Sequence, residues 1–344
     1  MNFIITNREI VYNSKTKKEE IRPDGKETAS ANLRFGEYSL KTRQFSLYED
    51  ANALSDLNYS VAQPLNTDKG SALFFKKLYQ AILEARNQKT QDGKPKADVL
   101  LYVHGFNNDL ASVQAEFSRL NKKYVEDKKS PIAHIVIFSW PSQSTPSGIP
   151  VPFYGYQDDQ ADAERSGIAF AKGIFKLREF YRQFFSAANQ PCGQKVHLMC
   201  HSMGNQVLES AMKVIARNTL EIFTEIFLVA ADAKYDTFED NQPLQYLIDM
   251  GERVHIYYHN QDAALMLSKY TKNTNNRLGA YGRRNKKIVT DVYEVDVSST
   301  IDDATEDWIE KNANHHYHET SSKVIKDIID VLNGKKVENF RELS

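Results

Sequence analysis

The sequence predicts an α/β fold: a mainly parallel central sheet flanked by helices, preceded by a β-rich N-terminal stretch. Three observations predict it. From residue 99 onward, short apolar runs alternate with segments whose apolar residues recur at helical spacing, the pattern of strands joined by crossover helices. Residues 196–205 read as an apolar strand, a tight turn of small residues and the start of a helix. The residues able to do chemistry stand just after the apolar runs, where an open parallel sheet collects its functional groups.

The chain has 344 residues, enough for one large α/β domain or two smaller ones and for a sizeable core. A hydrophobic content of 41% with 26% charged residues is ordinary for a globular protein. Lys and Arg number 44 against 45 Asp and Glu, so the formal net charge is -1 and carries no signature of a nucleic-acid partner or an anionic membrane. Two cysteines, Cys192 and Cys200, cannot build a disulfide framework, which favours a reducing compartment. No stretch approaches the roughly 18 apolar residues of a membrane span. The segment from Met1 to Glu9 lacks the basic start and long apolar run of a signal peptide, so the expected location is cytoplasmic.

Residues 3–5, 9–12 and 33–38 are β-like runs separated by polar stretches at 13–20 and 22–27. They hold too few apolar residues for a core of their own and read as a β-rich extension of hairpins. Residues 70–89 have apolar side chains at helical spacing and predict a helix, which the polar segment 90–96 ends. Residues 1–95 are thus the extension plus first helix, and 96–344 the core, within one compact domain.

In the core, the strand Val99–Val103 ends in His104-Gly105-Phe106-Asn107-Asn108, and a helix follows over 110–123. The strand 135–140 enters a loop, 141–156, carrying Pro146, Pro150, Pro152, Phe153, Tyr154 and Tyr156, expected to lie over the mouth of a site and shape its pocket. A long helix is predicted over 159–185. The strand 196–200 feeds a helix over 205–217. Strands at 226–231 and 254–258 flank a short helix at 244–250, and the second opens into a helix at 263–270. The last strand is 289–297 and the last helix 321–332.

The turn Cys200-His201-Ser202-Met203-Gly204 is a variant of the G-x-S-x-G nucleophile elbow, in which a serine at a strand-to-helix corner projects its hydroxyl beyond the sheet. Neighbouring backbone passes close to such a corner, so the residues two before and two after the serine must be small. Gly204 meets this fully and Cys200 approximately. A serine in this place also serves as an ordinary helix N-cap, so the pentapeptide alone leaves both readings open.

The rest of the chain supplies what a reactive serine needs. Serine is a weak nucleophile at neutral pH and requires an imidazole to take its proton and a carboxylate to hold that imidazole. Asp262, in the short turn after 254–258, is the better-placed acid, and Asp232 after 226–231 is the alternative; capping of the helix at 263 is the bland role for Asp262. For the base, His315, His316 and His318 all stand in the run Asn314-His315-His316-Tyr317-His318-Glu319. That run has neither the spacing nor the Cys partners of a zinc site. An oxyanion hole needs two backbone N–H groups, expected from Met203 after the serine and from Phe106 after the His104-Gly105 pair, where Gly105 lets the backbone turn inward.

Together, residues 102–108 (YVHGFNN), 138–142 (FSWPS), 156–166 and 200–205 (CHSMGN) resemble the DUF900 family of α/β-hydrolases, over about Val99 to Leu332. The resemblance implies an α/β-hydrolase fold with Ser202 as nucleophile, Asp262 as acid and His315 as base. His315 follows from the family's Gly-His-x-Tyr run, which Asn314-His315-His316-Tyr317 matches except for Asn in place of Gly; the extra histidine leaves His316 as the alternative. The resemblance leaves the substrate unnamed; the ordered set of residues itself gives the expected function, a serine hydrolase acting on a carboxylic ester or thioester through an acyl-enzyme, with no cofactor, no metal, a small-molecule or acyl-ester substrate and no nucleic-acid partner. Acyl transfer and amide hydrolysis use the same triad. The contrary reading is a non-catalytic binding module on this scaffold, which would normally lack a triad member; here none is missing.

Overall fold

Most of the apolar runs of the sequence become strands of one large sheet. In the computed structural model, which describes residues 2–22, 32–49, 69–142, 156–188, 194–215, 221–271, 275–300 and 314–344, the strands are β1 (Asn2–Thr6), β2 (Ile10–Asn13), β3 (Lys18–Ile21), β4 (Arg34–Ser39), β5 (Gln44–Leu47), β6 (Asp98–Val103), β7 (Ile132–Ser139), β8 (Val196–His201), β9 (Phe223–Val229), β10 (Gly251–Tyr258), β11 (Val292–Asp296) and β12 (Phe340–Glu342). The helices used below are α1 (Gly70–Ala85), α2 (Leu110–Leu120), α3 (Tyr156–Ala188), α4 (Gly204–Ile215), α5 (Ala263–Thr271), α6 (Leu278–Tyr281) and α7 (Ser322–Leu332). The expected pocket-shaping loop falls outside the described residues over 143–155, as does Cys192.

Among the described residues the main sheet is ordered β12-β11-β10-β9-β8-β6-β7-β1-β4-β5. Every neighbouring pair from β12 to β1 is parallel, and β4 and β5 continue it antiparallel. The chain leaves β6 to one side for β7 and returns to β8 on the other. The carboxyl ends of β6 and β8 therefore bound a topological switch point, the crevice where open α/β sheets place their sites.

The N-terminal strands are laid along this same sheet. β1 runs parallel to β7 in the register Thr6↔Ser139, and only β2 and β3 form a separate hairpin. Phe3 is fully buried, its ring 5.5 Å from Phe74 of α1 in an edge-on arrangement. On that face α1, α3 and α4 cover Val99, Leu101 and Leu198 with Phe74, Leu78, Phe170, Ile174 and Val207. On the other, α2 and α7 cover Leu100, Tyr102 and Met199 with Phe117, Val324 and Ile328.

Several elements differ from expectation. β3 and β5 form in stretches with no expected strand. α3 begins at Tyr156, ahead of the expected start at 159, and Asp158 and Asp159 in its first turn favour the positive end of the helix dipole. The segment 244–250 forms only a 3-10 turn at Leu247–Met250. β12 has no apolar run to announce it; it is held by pairing with β11 and by Arg341, whose guanidinium lies 2.7 Å from Asp327 of α7.

If β1 is integral to the sheet, Phe3→Ala should cost about 3–5 kcal/mol and shift a single cooperative urea transition. A loss under about 1 kcal/mol, or a separate early transition, would show β1 to be peripheral.

Candidate active site

Ser202 occupies the corner between β8 and α4 with φ 52°, a left-handed conformation that a non-glycine residue adopts only under surrounding constraint. The constraints are visible on every side. Its N–H donates to the Val229 carbonyl at 3.0 Å, and its carbonyl accepts from Asp232 N–H at 3.1 Å. The Asn205 side-chain amide donates to the carbonyls of both Cys200 and Ser202, each at 3.0 Å, lacing the turn from inside. A Cβ on Gly204 would lie 2.5 Å from the Val103 carbonyl oxygen and 2.7 Å from that of His104. Only glycine lets α4 start this close to β6. Cys200 is fully buried in the core, and burial raises its thiol above the ordinary range.

The structure brings together Ser202 at the end of β8, Asp262 in the turn after β10, and His315 in the segment 314–316. His315 Nε2 lies 2.8 Å from Ser202 Oγ, and His315 Nδ1 lies 2.7 Å from Asp262 Oδ2. An ionised carboxylate can only accept, so Nδ1 carries the proton and Nε2 offers its lone pair to the serine hydroxyl. Burial disfavours the charged imidazole, but the facing Asp262 outweighs it by charge and hydrogen bond, and the His315 pKa stands above the ordinary value. Burial lifts the Asp262 carboxyl above the usual range, while His315 draws it back. Asp262 uses both carboxylate oxygens: Oδ1 accepts from Leu265 N–H at 3.0 Å, capping α5, while Oδ2 faces the imidazole.

The alternatives are engaged elsewhere. Asp232 is buried in an ion pair with Arg277 at 3.0 Å and accepts from Tyr156 Oη at 2.5 Å, Ser268 Oγ at 3.0 Å and Gln206 Nε2 at 3.1 Å. His316 packs its ring on His201, centroids 4.8 Å apart, and burial lowers its pKa to about 3. His318 also packs on His201, centroids 4.4 Å apart, with its Nε2 3.2 Å from Tyr102 Oη. Among the described residues no group of three or more His, Cys, Asp or Glu is arranged to hold a metal ion, and no helix is long and apolar enough to cross a membrane.

The loop after β6 lies directly against the serine. A Cβ on Gly105 would stand 2.8 Å from Ser202 Cβ and 3.3 Å from its Oγ, so the stretch leading to Phe106 passes the hydroxyl at contact distance. His104 fixes this loop from below. The Trp140 backbone N–H donates to His104 Nε2 at 3.1 Å, which assigns the proton to Nδ1 and makes it the donor to the Gly105 carbonyl at 2.9 Å. Trp140 Nε1 in turn donates to the His104 carbonyl at 2.9 Å, and the two rings stack. Burial, reinforced by the nearby Arg8 charge, pushes the His104 pKa down to about 3 and keeps it neutral.

His201 and Tyr317 take supporting roles that the sequence does not assign. His201 donates from Nε2 to the His315 backbone carbonyl at 3.1 Å. Tyr317 donates its hydroxyl to the Tyr257 carbonyl at 2.8 Å and accepts from Ala230 N–H at 2.7 Å, stitching the segment that bears His315 to the ends of β9 and β10. Tyr317 is the Tyr of the His-x-Tyr run, two residues after His315. Asn314 takes φ 46°, in the left-handed region that Asn tolerates better than most residues.

A parallel sheet with a strained serine at its switch point, flanked by an imidazole and a buried carboxylate, defines the class of α/β-hydrolase folds. The chain belongs to the DUF900 family, alpha/beta hydrolases of unknown function, whose profile matches residues 81–332. Comparison with curated proteins gives no match. Among solved structures, phospholipase PlaB from Legionella pneumophila in complex with thio-NAD is similar over 59% of this chain and 38% of that one, at 13% identity and a TM-score of 0.24. This chain therefore spans less than two-fifths of the length of that phospholipase chain.

Removal of the Tyr317 hydroxyl strands two buried backbone groups. Tyr317→Phe should lose about 1–3 kcal/mol in chemical denaturation; an unchanged midpoint would mean the stitch carries no stability.

Proposed function

We propose that this protein is a serine hydrolase that cleaves a carboxylic ester or thioester through an acyl-enzyme on Ser202. One observation carries the reading: the continuous relay Asp262–His315–Ser202, at 2.7 and 2.8 Å, ending on a serine held in a left-handed conformation. A helix cap needs neither the imidazole nor the strain.

In this reading Ser202 Oγ attacks the substrate carbonyl carbon while His315 Nε2 takes its proton. The carbonyl π electrons move onto oxygen, and the Phe106 and Met203 N–H groups receive the resulting oxyanion. The tetrahedral intermediate collapses as His315 returns the proton to the departing alcohol or thiol, leaving the acyl group on Ser202. Water then attacks with His315 as base, and the second collapse releases the acid and restores the hydroxyl. Asp262 stays ionised throughout, holding the tautomer and balancing the imidazolium. An alcohol or amine in place of water would make the same steps an acyl transfer.

Ser202→Ala should abolish labelling by a fluorophosphonate probe and lower kcat for short p-nitrophenyl esters by more than about 10⁴-fold. Wild-type protein that is folded yet neither labels nor turns over an ester or thioester panel would sink the proposal.

His315 must be neutral to act as base, so activity falls as pH drops through its pKa. Because that pKa is raised from 6.5, the acid limb of kcat/KM should be centred above 6.5. Asp262→Asn removes the main offsetting charge and leaves only the weaker pull of Asp232 against burial, so the limb should move to lower pH while kcat drops by about 10⁴-fold. A limb that stays in place would show that Asp262 does not set the imidazole.

A further inference from the structure

Arg8 is one of the largest fully buried side chains among the described residues, with 1% of its surface exposed. Taking a guanidinium out of water costs several kcal/mol unless its donors are met by well-placed acceptors. They are met at the active-site end of the sheet. Because β1 runs parallel to β7, the chain leaves Thr6 beside Ser139, at the carboxyl ends of the strands. Thr6 Oγ1 donates to the Ser139 carbonyl at 2.7 Å and accepts from Arg8 N–H at 3.1 Å, which fixes the exit of the strand. From there Arg8 Nε donates to Ser139 Oγ at 2.8 Å, and Nη2 donates to the backbone carbonyl of Asn108 at 2.6 Å.

Asn108 closes the loop that passes Ser202. Its side-chain amide donates to the carbonyls of Gly105 at 3.2 Å and Phe106 at 3.3 Å, and its N–H donates to Ser142 Oγ at 3.2 Å. Between these, Asn107 is held at φ 60°, a conformation that needs external support. Arg8 thus grips the residue that in turn grips the peptide unit bearing the Phe106 N–H and the peptide unit that follows it.

We propose that Arg8 is a positioning residue for the oxyanion hole: its guanidinium fixes the Asn108 carbonyl and thereby the loop that presents the Phe106 N–H to Ser202. The proposal rests on the hydrolase reading above. It also gives the N-terminal strand a part in the site, from outside the 81–332 span shared with the family. An oxyanion donor acts only on the charge that develops during reaction, so its displacement lowers kcat and leaves KM nearly unchanged.

The test compares full-length wild type, Arg8→Met, which keeps length and loses every donor, and Arg8→Lys, which keeps charge without the fork. Hydrogen–deuterium exchange over residues 104–109 reads the loop directly, independent of any chemistry. Arg8→Met should exchange there about tenfold faster. It should lower kcat for a p-nitrophenyl ester by about 10–100-fold with KM within about twofold, and weaken phenylboronic acid, whose tetrahedral adduct fills the oxyanion position, by a similar factor. Arg8→Lys should show the same split at smaller amplitude, and carries the test if Arg8→Met does not fold. Unchanged exchange at 104–109, or faster exchange with unchanged kcat and boronate affinity, overturns the proposal. A wild type that fails to label with fluorophosphonate overturns the hydrolase reading instead, while the exchange result still decides whether Arg8 holds the loop.

Discussion

The conformation of Ser202 is the constraint around which the rest of the site is built. A left-handed serine costs on the order of 1–3 kcal/mol and persists only where its neighbours leave it no relaxed alternative. Here the neighbours are backbone: the carbonyls of Val103 and His104 crowd the position a Gly204 side chain would take, and Val229 and Asp232 bind the serine's own peptide groups. Strands β6, β8 and β9 thus jointly impose the turn. The hydroxyl is pushed past the sheet, and the loop after β6 is brought against it by the same close packing.

Burial decides the electrostatics. In water an imidazole and a carboxylate would each titrate near their ordinary values; in the relay, desolvation acts against both charged forms and their mutual attraction acts for them. The attraction wins at His315, which favours the imidazolium that the proposed reaction forms. The same burial without a partner carboxylate drives His316 the other way, to about 3. Adjacent histidines thereby take different chemistry from their surroundings alone. Asp262 serves the helix and the imidazole at once because a carboxylate has two oxygens and the turn after β10 points one at each.

Support for the site reaches well beyond the three relay residues. Tyr317 and His201 secure the His315 segment through backbone atoms, and His104 with Trp140 secures the loop after β6. Arg8 comes from the opposite end of the chain, delivered by a strand that had looked like an appendage. A sheet extended by β1, β4 and β5 therefore gives the N-terminus both a structural place and access to the crevice.

Much of the fold was legible in the sequence because apolar periodicity is a local property: β6 to β10 and the helices between them follow from runs such as Val99–Val103 and from helical spacing. The elbow, the Gly105 turn and the position of Asp262 after β10 were legible for the same reason, each being a residue type at the end of such a run. Tertiary structure alone decided what distant segments do to one another. Which histidine of 315, 316 and 318 faces the serine depends on the direction of a segment pinned by Tyr317 to β9 and β10. That Asp232 is consumed by Arg277, Tyr156 and Ser268 depends on three elements meeting. That Arg8 belongs to the site depends on β1 pairing with β7, more than a hundred residues away, a register that no local pattern encodes.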